Sequence, residues 1–262
     1  MDIAGRLRGL LYRLARPRET LRQLSEPVDD LTRLADRYGS DKGFAAFDGH
    51  GYTRVYAELF APLRDSPVRL LEIGLLHHKD RGWSEHPWSH RGSARARRAP
   101  SLAMWSAYFP QATIFGFDIN DFSAVEIERC RIFRGDMGSR EDLHRLIGDS
   151  GGMFDIVIED GSHASHDQQI ALATLWPALR SGGLYVIEDL TYQPPELERA
   201  GAVKTLDLLR AVETGGKFGS PFLDAAERAL LDAEVARIEL YDSLDRRTRF
   251  SRRDALAVLR KR

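Results

Sequence analysis

Between Val68 and Leu190 the chain alternates short apolar runs with helical patterns, and every run ends at or beside an acid. The runs are VRLLEIG, ATIFGFDI, CRIFRGD, FDIVIED and GLYVIED, the last introduced by a Gly182–Gly183 turn. Helical stretches lie between them at SLAMWSAYF (closed by Pro110), at 139–147 and from 165 to 179. Continuous apolar strands joined by short helical crossovers need cover on both faces, which predicts a parallel sheet between two helical layers. Two further helices are expected at 203–213 and 223–236, then two late strands at ARIELYDS and DALAVLRK. The fold class is therefore α/β, Rossmann-like and doubly wound, with a mostly parallel sheet.

The bulk numbers exclude several classes. With 262 residues, 43% hydrophobic and 29% charged, the chain can bury a sizeable core. A net charge of −1 gives no global attraction to nucleic acid or anionic membrane. One cysteine excludes a disulfide framework and fits a cytoplasmic setting. No apolar run has the roughly 18 residues of a transmembrane helix. Residues 3–15 form an amphipathic basic helix, read as a cap or a homo-oligomer contact. A second helix is expected from Asp29 to Tyr38, and a third near 52–63, after a polar, Gly-rich loop. Residues 75–100 hold four of the eight histidines, two tryptophans and a run of arginines. So long an interruption between a strand and its helix is read as a lid. Zinc binding by its histidines and nucleic-acid binding by Arg91, Arg95, Arg97 and Arg98 are weighed and set aside.

Ligands of open parallel sheets sit beyond the carboxyl ends of the strands. Asp118, ending the second strand, is placed to accept bonds from ribose hydroxyls, with Asp136 one strand further out. Glu72 and Gly74 open the first turn, where backbone must approach a ligand closely. The turn reads EIGLLHHKD and has no G-x-G-x-x-G, which disfavours a pyrophosphate and favours S-adenosylmethionine (SAM). The tetrapeptide VIED ends both the fourth and the fifth strand. Strand alternation separates Glu159 from Asp160, leaving Asp160, Glu188 and Asp189 as oxygen ligands for Mg²⁺, or Mn²⁺ in its place. His163, in DGSH, is the expected general base, with His166 as its competitor.

These stretches resemble the class I SAM-dependent methyltransferases, and within them the metal-dependent macrolide-glycoside (mycinamicin-type) sugar O-methyltransferases. The resemblance is carried by LADRYGSDKG, HGYTRVY, LLEIG, SLAMWSAYFPQATIFGFDI, EDGSHASHDQQ and LRSGGLYVIEDL, over roughly residues 31–192. It implies a seven-stranded sheet, SAM bound across the first, second and fourth strands, metal on Asp160, Glu188 and Asp189, and His163 as base. It also places Ser40, Lys42 and Tyr52 beside cofactor and substrate; Ser101, opening the SLAMW stretch, is counted with them. The chain departs from the family's pattern in the long segment after Gly74. One domain, 1–262, is expected: a helical cap and cofactor-covering segment at 1–66, and a core at 67–262 with the lid inserted at 75–100.

The resulting expectation is Mg²⁺-dependent methyl transfer from SAM to a sugar hydroxyl of a natural product, glycolipid or polysaccharide. A catechol-like diol is the alternative acceptor. A sugar-nucleotide oxidoreductase is the alternative class, disfavoured by the missing glycine spacing.

Overall fold

The computed structural model describes residues 29–45, 49–75, 99–193, 195–241 and 254–262. The basic helix expected at 3–15 and nearly all of the expected lid lie outside the described residues.

Two helices come first: α1 (Asp30–Tyr38), then α2 (Thr53–Phe60), which a 3-10 turn extends through Leu63. Asp29 caps α1 by accepting the Thr32 N–H at 2.7 Å, and Gly39 ends it in the left-handed conformation. The core follows as β1 (Arg69–Ile73), α3 (Pro100–Tyr108), β2 (Thr113–Asp118), β3 (Cys130–Arg134), α4 (Arg140–Ser150) and β4 (Phe154–Glu159). It closes with α5 (Ser165–Leu175), β5 (Leu179–Ile187), α6 (Thr205–Glu213), α7 (Ala225–Glu234), β6 (Val235–Tyr241) and β7 (Leu256–Lys261).

The strands form one seven-stranded sheet in the order β3-β2-β1-β4-β5-β7-β6. β1 to β5 pair in parallel, while β7 is antiparallel to both β5 and β6. This is the Rossmann-like doubly wound sheet expected, with the strand order reversing between β1 and β4, where such sheets bind ligands. One boundary is corrected. The glycine pair does not introduce β5 but lies inside it: the strand begins at Leu179, and its register against β4 shifts between Phe154 and Ile156. Gly182 and Gly183 let the strand bulge there instead of turning the chain.

Each face of the sheet carries its own core. Leu71, Phe115, Val157, Tyr185 and Leu259 pack on the side of α4 to α7. Leu70, Ile114, Ile156, Val186 and Val258 pack on the other, with Tyr56 and Phe60 of α2 and Trp105 of α3. Burial on both faces explains why the strands read as continuous apolar runs. Among the described residues no helix is long and apolar enough to cross a membrane.

Candidate active site

The site gathers at the carboxyl ends of β1, β4 and β5, under the loop joining α1 to α2. Backbone bonds brace that loop: His50 N–H to Asp41 carbonyl at 2.7 Å, Gly51 N–H to Gly43 carbonyl at 2.9 Å and Thr53 N–H to Lys42 carbonyl at 3.0 Å. Lys42 is thereby aimed inward and is 1% exposed. Its ammonium lies 2.7 Å from Asp160 Oδ2, 2.9 Å from Glu188 Oε2 and 3.2 Å from Glu72 Oε1. Ser40, buried behind it, accepts the Lys42 N–H on Oγ at 3.3 Å.

A second set surrounds Asp189. The Tyr52 hydroxyl donates to Asp189 Oδ1 at 2.7 Å, and His163 Nε2 lies 3.9 Å from Oδ2. His50 Nδ1 is 3.6 Å from Asp189 Oδ1 and 2.9 Å from Asp254 Oδ2, just ahead of β7. The Tyr56 hydroxyl donates to Glu188 Oε1. His163 and Asp189 both hold positive φ, 60° and 53°. Side chains other than glycine seldom adopt this conformation outside sites whose surroundings enforce it.

Burial sets the electrostatics. It pushes the Glu72 and Asp189 carboxyls up to about 7 despite the nearby Lys42 and His50 cations, and it drives Glu188 well above the usual range. Asp160 is the exception: burial would raise it, but the Lys42 ammonium holds it below. Burial would also strip protons from Lys42 and His50, yet the carboxylates win, leaving Lys42 firmly charged and His50 raised to about 10. Tyr52 and Tyr56, raised by burial, remain hydroxyl donors. Among the described residues, five carboxylates (Glu72, Asp160, Glu188, Asp189, Asp254) thus face two cations. Such a cluster either retains protons or takes up more positive charge. Asp160, His163 and Asp189 bring one ligand atom each within 4.8 Å of one another, a largely oxygen donor set suited to a hard dication. Glu188, expected beside them, is held by Lys42 and Tyr56.

The expected cofactor residues divide. Asp118 Oδ2 accepts the Leu75 N–H at 2.8 Å, and its Oδ1 accepts both Asn120 nitrogens, the backbone N–H at 2.7 Å and Nδ2 at 2.8 Å. This web fixes the turn after β1 against the end of β2. Gly74, at φ 84°, abuts β4 so closely that a Cβ would stand 1.9 Å from the Asp160 carbonyl oxygen. Ile119, beside Asp118, is 62% exposed and offers apolar surface at the same edge. Asp136 lies past β3, where its Oδ1 accepts the Gly138 N–H at 2.8 Å, outside the carboxylate cluster. The Trp105 indole N–H of α3 donates to Glu72 Oε2 at 3.0 Å, and Ser101 is buried one turn earlier on the same helix. Lys42, Tyr52 and Glu72, expected on the cofactor side, therefore join the expected metal acids. Sequence reasoning missed His50, Tyr56 and Asp254. The first two sit in the HGYTRVY stretch; Asp254 precedes a strand whose place beside β5 had no local signal.

No family model matches the chain. It is 42% identical over 161 residues to the 8-demethyl-8-(2-methoxy-alpha-L-rhamnosyl)-tetracenomycin-C 3'-O-methyltransferase of Streptomyces olivaceus, a match covering 62% of this chain and 37% of that protein. It is 40% identical over 162 residues to the mycinamicin VI 2''-O-methyltransferase of Micromonospora griseorubida, covering 62% and 36%. Among solved structures, the MycE methyltransferase of the mycinamycin biosynthetic pathway, in complex with Mg, SAH and mycinamycin VI, superposes with a TM-score of 0.62 at 30% identity. That match covers 89% of this chain and 54% of that one. The chain thus spans little more than a third of the length of these curated relatives, 37% and 36%. The chain is thus similar in sequence to sugar O-methyltransferases over 62% of its length, and its sheet superposes on that of the MycE methyltransferase.

Proposed function

We propose that the protein transfers a methyl group from SAM to a hydroxyl of a sugar on a glycosylated natural product, with Mg²⁺ or Mn²⁺ bound. The observation that carries this reading is the cluster itself: among the described residues, buried carboxylates from neighbouring strands outnumber the cations among them, beside an imidazole. The sugar acceptor is supported by the relatives' names, which describe a rhamnosyl tetracenomycin and an L-olivosyl oleandolide.

SAM would be held at the ends of β1 and β2: Asp118 would serve the ribose and Ile119 the adenine face, while Gly74 lets the turn after β1 close against β4 beside them. Ser101, Glu72, Ser40 and Asp136 line or brace that side. Asp160 and Asp189 would hold the metal, with Glu188, which Lys42 and Tyr56 now engage, as the third acid. A dication supplies Lewis acidity that lowers the pKa of a bound hydroxyl. Tyr52 orients Asp189 through its hydroxyl. His163 takes the hydroxyl proton on Nε2, and Asp189, 3.9 Å away, stabilises the imidazolium that results. The acceptor oxygen forms a bond to the methyl carbon as the sulfur–methyl bond breaks, releasing S-adenosylhomocysteine (SAH) and leaving the proton on His163. Tyr192, its ring centroid 5.7 Å from that of His163 and set edge-on, fixes the imidazole plane.

With radiolabelled SAM and a panel of rhamnosyl glycosides and catechols, we expect methyl transfer to a glycoside, its abolition by EDTA and its rescue by Mg²⁺. His163→Ala should lower turnover about 10²–10⁴-fold while SAH affinity stays unchanged. Transfer that survives EDTA removes the metal from the reaction. A His163→Ala variant that loses SAH affinity but keeps turnover removes the base.

A further inference from the structure

We propose that Lys42 is a placeholder cation: its ammonium holds Asp160 and Glu188 together while no dication is bound, and must withdraw from them when one arrives. The inference rests on the metal-dependent reading above and adds to it a built-in competitor for the site.

The geometry is specific. One ammonium bridges carboxylates from two neighbouring strands, Asp160 after β4 at 2.7 Å and Glu188 after β5 at 2.9 Å. The loop that carries Lys42 is pinned through its backbone, including the Lys42 carbonyl itself. What remains movable is the four-carbon stem, and a lysine stem is suited to relocating a compact charge. The third partner, Glu72 Oε1 at 3.2 Å, lies on the far side from Asp189 and gives the ammonium somewhere to stay. Glu72 is itself fixed by the Trp105 indole at 3.0 Å. Lys42 thus has one immobile partner on the β1 side and two on the side where a dication belongs. Like charges a few ångströms apart in a buried site repel strongly, so the lysine opposes metal uptake even as it holds the two acids together.

The test is Mn²⁺ binding, followed by electron paramagnetic resonance and calorimetry with saturating SAH, in wild type and Lys42→Met. Removing the competing charge should tighten Mn²⁺ binding at least tenfold. It should also lower the melting temperature of the metal-free protein, with a larger upward shift on adding Mn²⁺ than in wild type. Unchanged or weaker Mn²⁺ binding in Lys42→Met overturns the placeholder, since the lysine would then be neutral to the metal or would help to organise its ligands. Should Lys42→Met fail to fold, Lys42→Gln, which keeps an N–H donor of similar reach without the charge, is read by the same criterion. Wild-type protein that takes up no Mn²⁺ with SAH present is a different failure: it removes the metal-dependent reading itself.

Discussion

The two VIED copies have the same four residues and opposite fates. In the first, Glu159 is fully buried toward the α4–α7 face, where Oε1 accepts the Gly161 N–H at 3.0 Å and burial pushes the carboxyl up to about 8. Its neighbour Asp160 turns to Lys42. In the second, it is the glutamate, Glu188, that meets Lys42, while Asp189 turns to Tyr52. The cause is register. β4 and β5 pair Val157 with Tyr185, Ile158 with Val186 and Glu159 with Ile187, so the copies are offset by one residue. A one-residue offset sends equivalent side chains to opposite faces. Glu188 thereby lands beside Asp160, and three acids converge where aligned copies would have split them.

Breaking the second copy should have the largest effect. Glu188→Ala should weaken Mn²⁺ binding by more than the roughly 10–100-fold that changes around metal ligands usually cost, measured by calorimetry with SAH present. If the variant binds the ion as wild type does, Glu188 serves only to hold Lys42. The next effect concerns the anchor of the first copy. Gly74→Ala would put a Cβ against the Asp160 carbonyl at a positive φ, and should destabilise the fold by about 2–4 kcal/mol in urea denaturation, with loss of SAH affinity. A near-neutral result would mean that the β1 turn yields freely. The smallest effect belongs to Glu159→Gln. The amide oxygen still accepts the Gly161 N–H, so stability should change by less than about 1 kcal/mol and Mn²⁺ affinity should not change. A Mn²⁺ defect equal to that of Glu188→Ala would erase the distinction between the copies.

Strand alternation alone separated Glu159 from Asp160, and the structure agrees. It could not tell which acid of the second copy faces the site, because that depends on pairing with β4 and on the left-handed turn at Asp189. The GSDKG and HGYTRVY stretches were legible as a Gly-rich loop running into a helix, and only the family resemblance set Ser40, Lys42 and Tyr52 beside the site. That Lys42 would reach three carboxylates, and His50 both Asp189 and Asp254, was not. Those pairs join residues far apart in the chain, Lys42 and Glu188 being separated by 146 positions, and no local pattern records them.

By itself the sequence determined the elements, their order, the parallel core and the acids along one rim, because hydrophobic periodicity and strand-end chemistry are local properties of the chain. The tertiary structure alone decided which acids share a cation. That choice follows from a one-residue offset between two strands and from a lysine carried in from the N-terminal loop, and both are fixed only when distant segments pack.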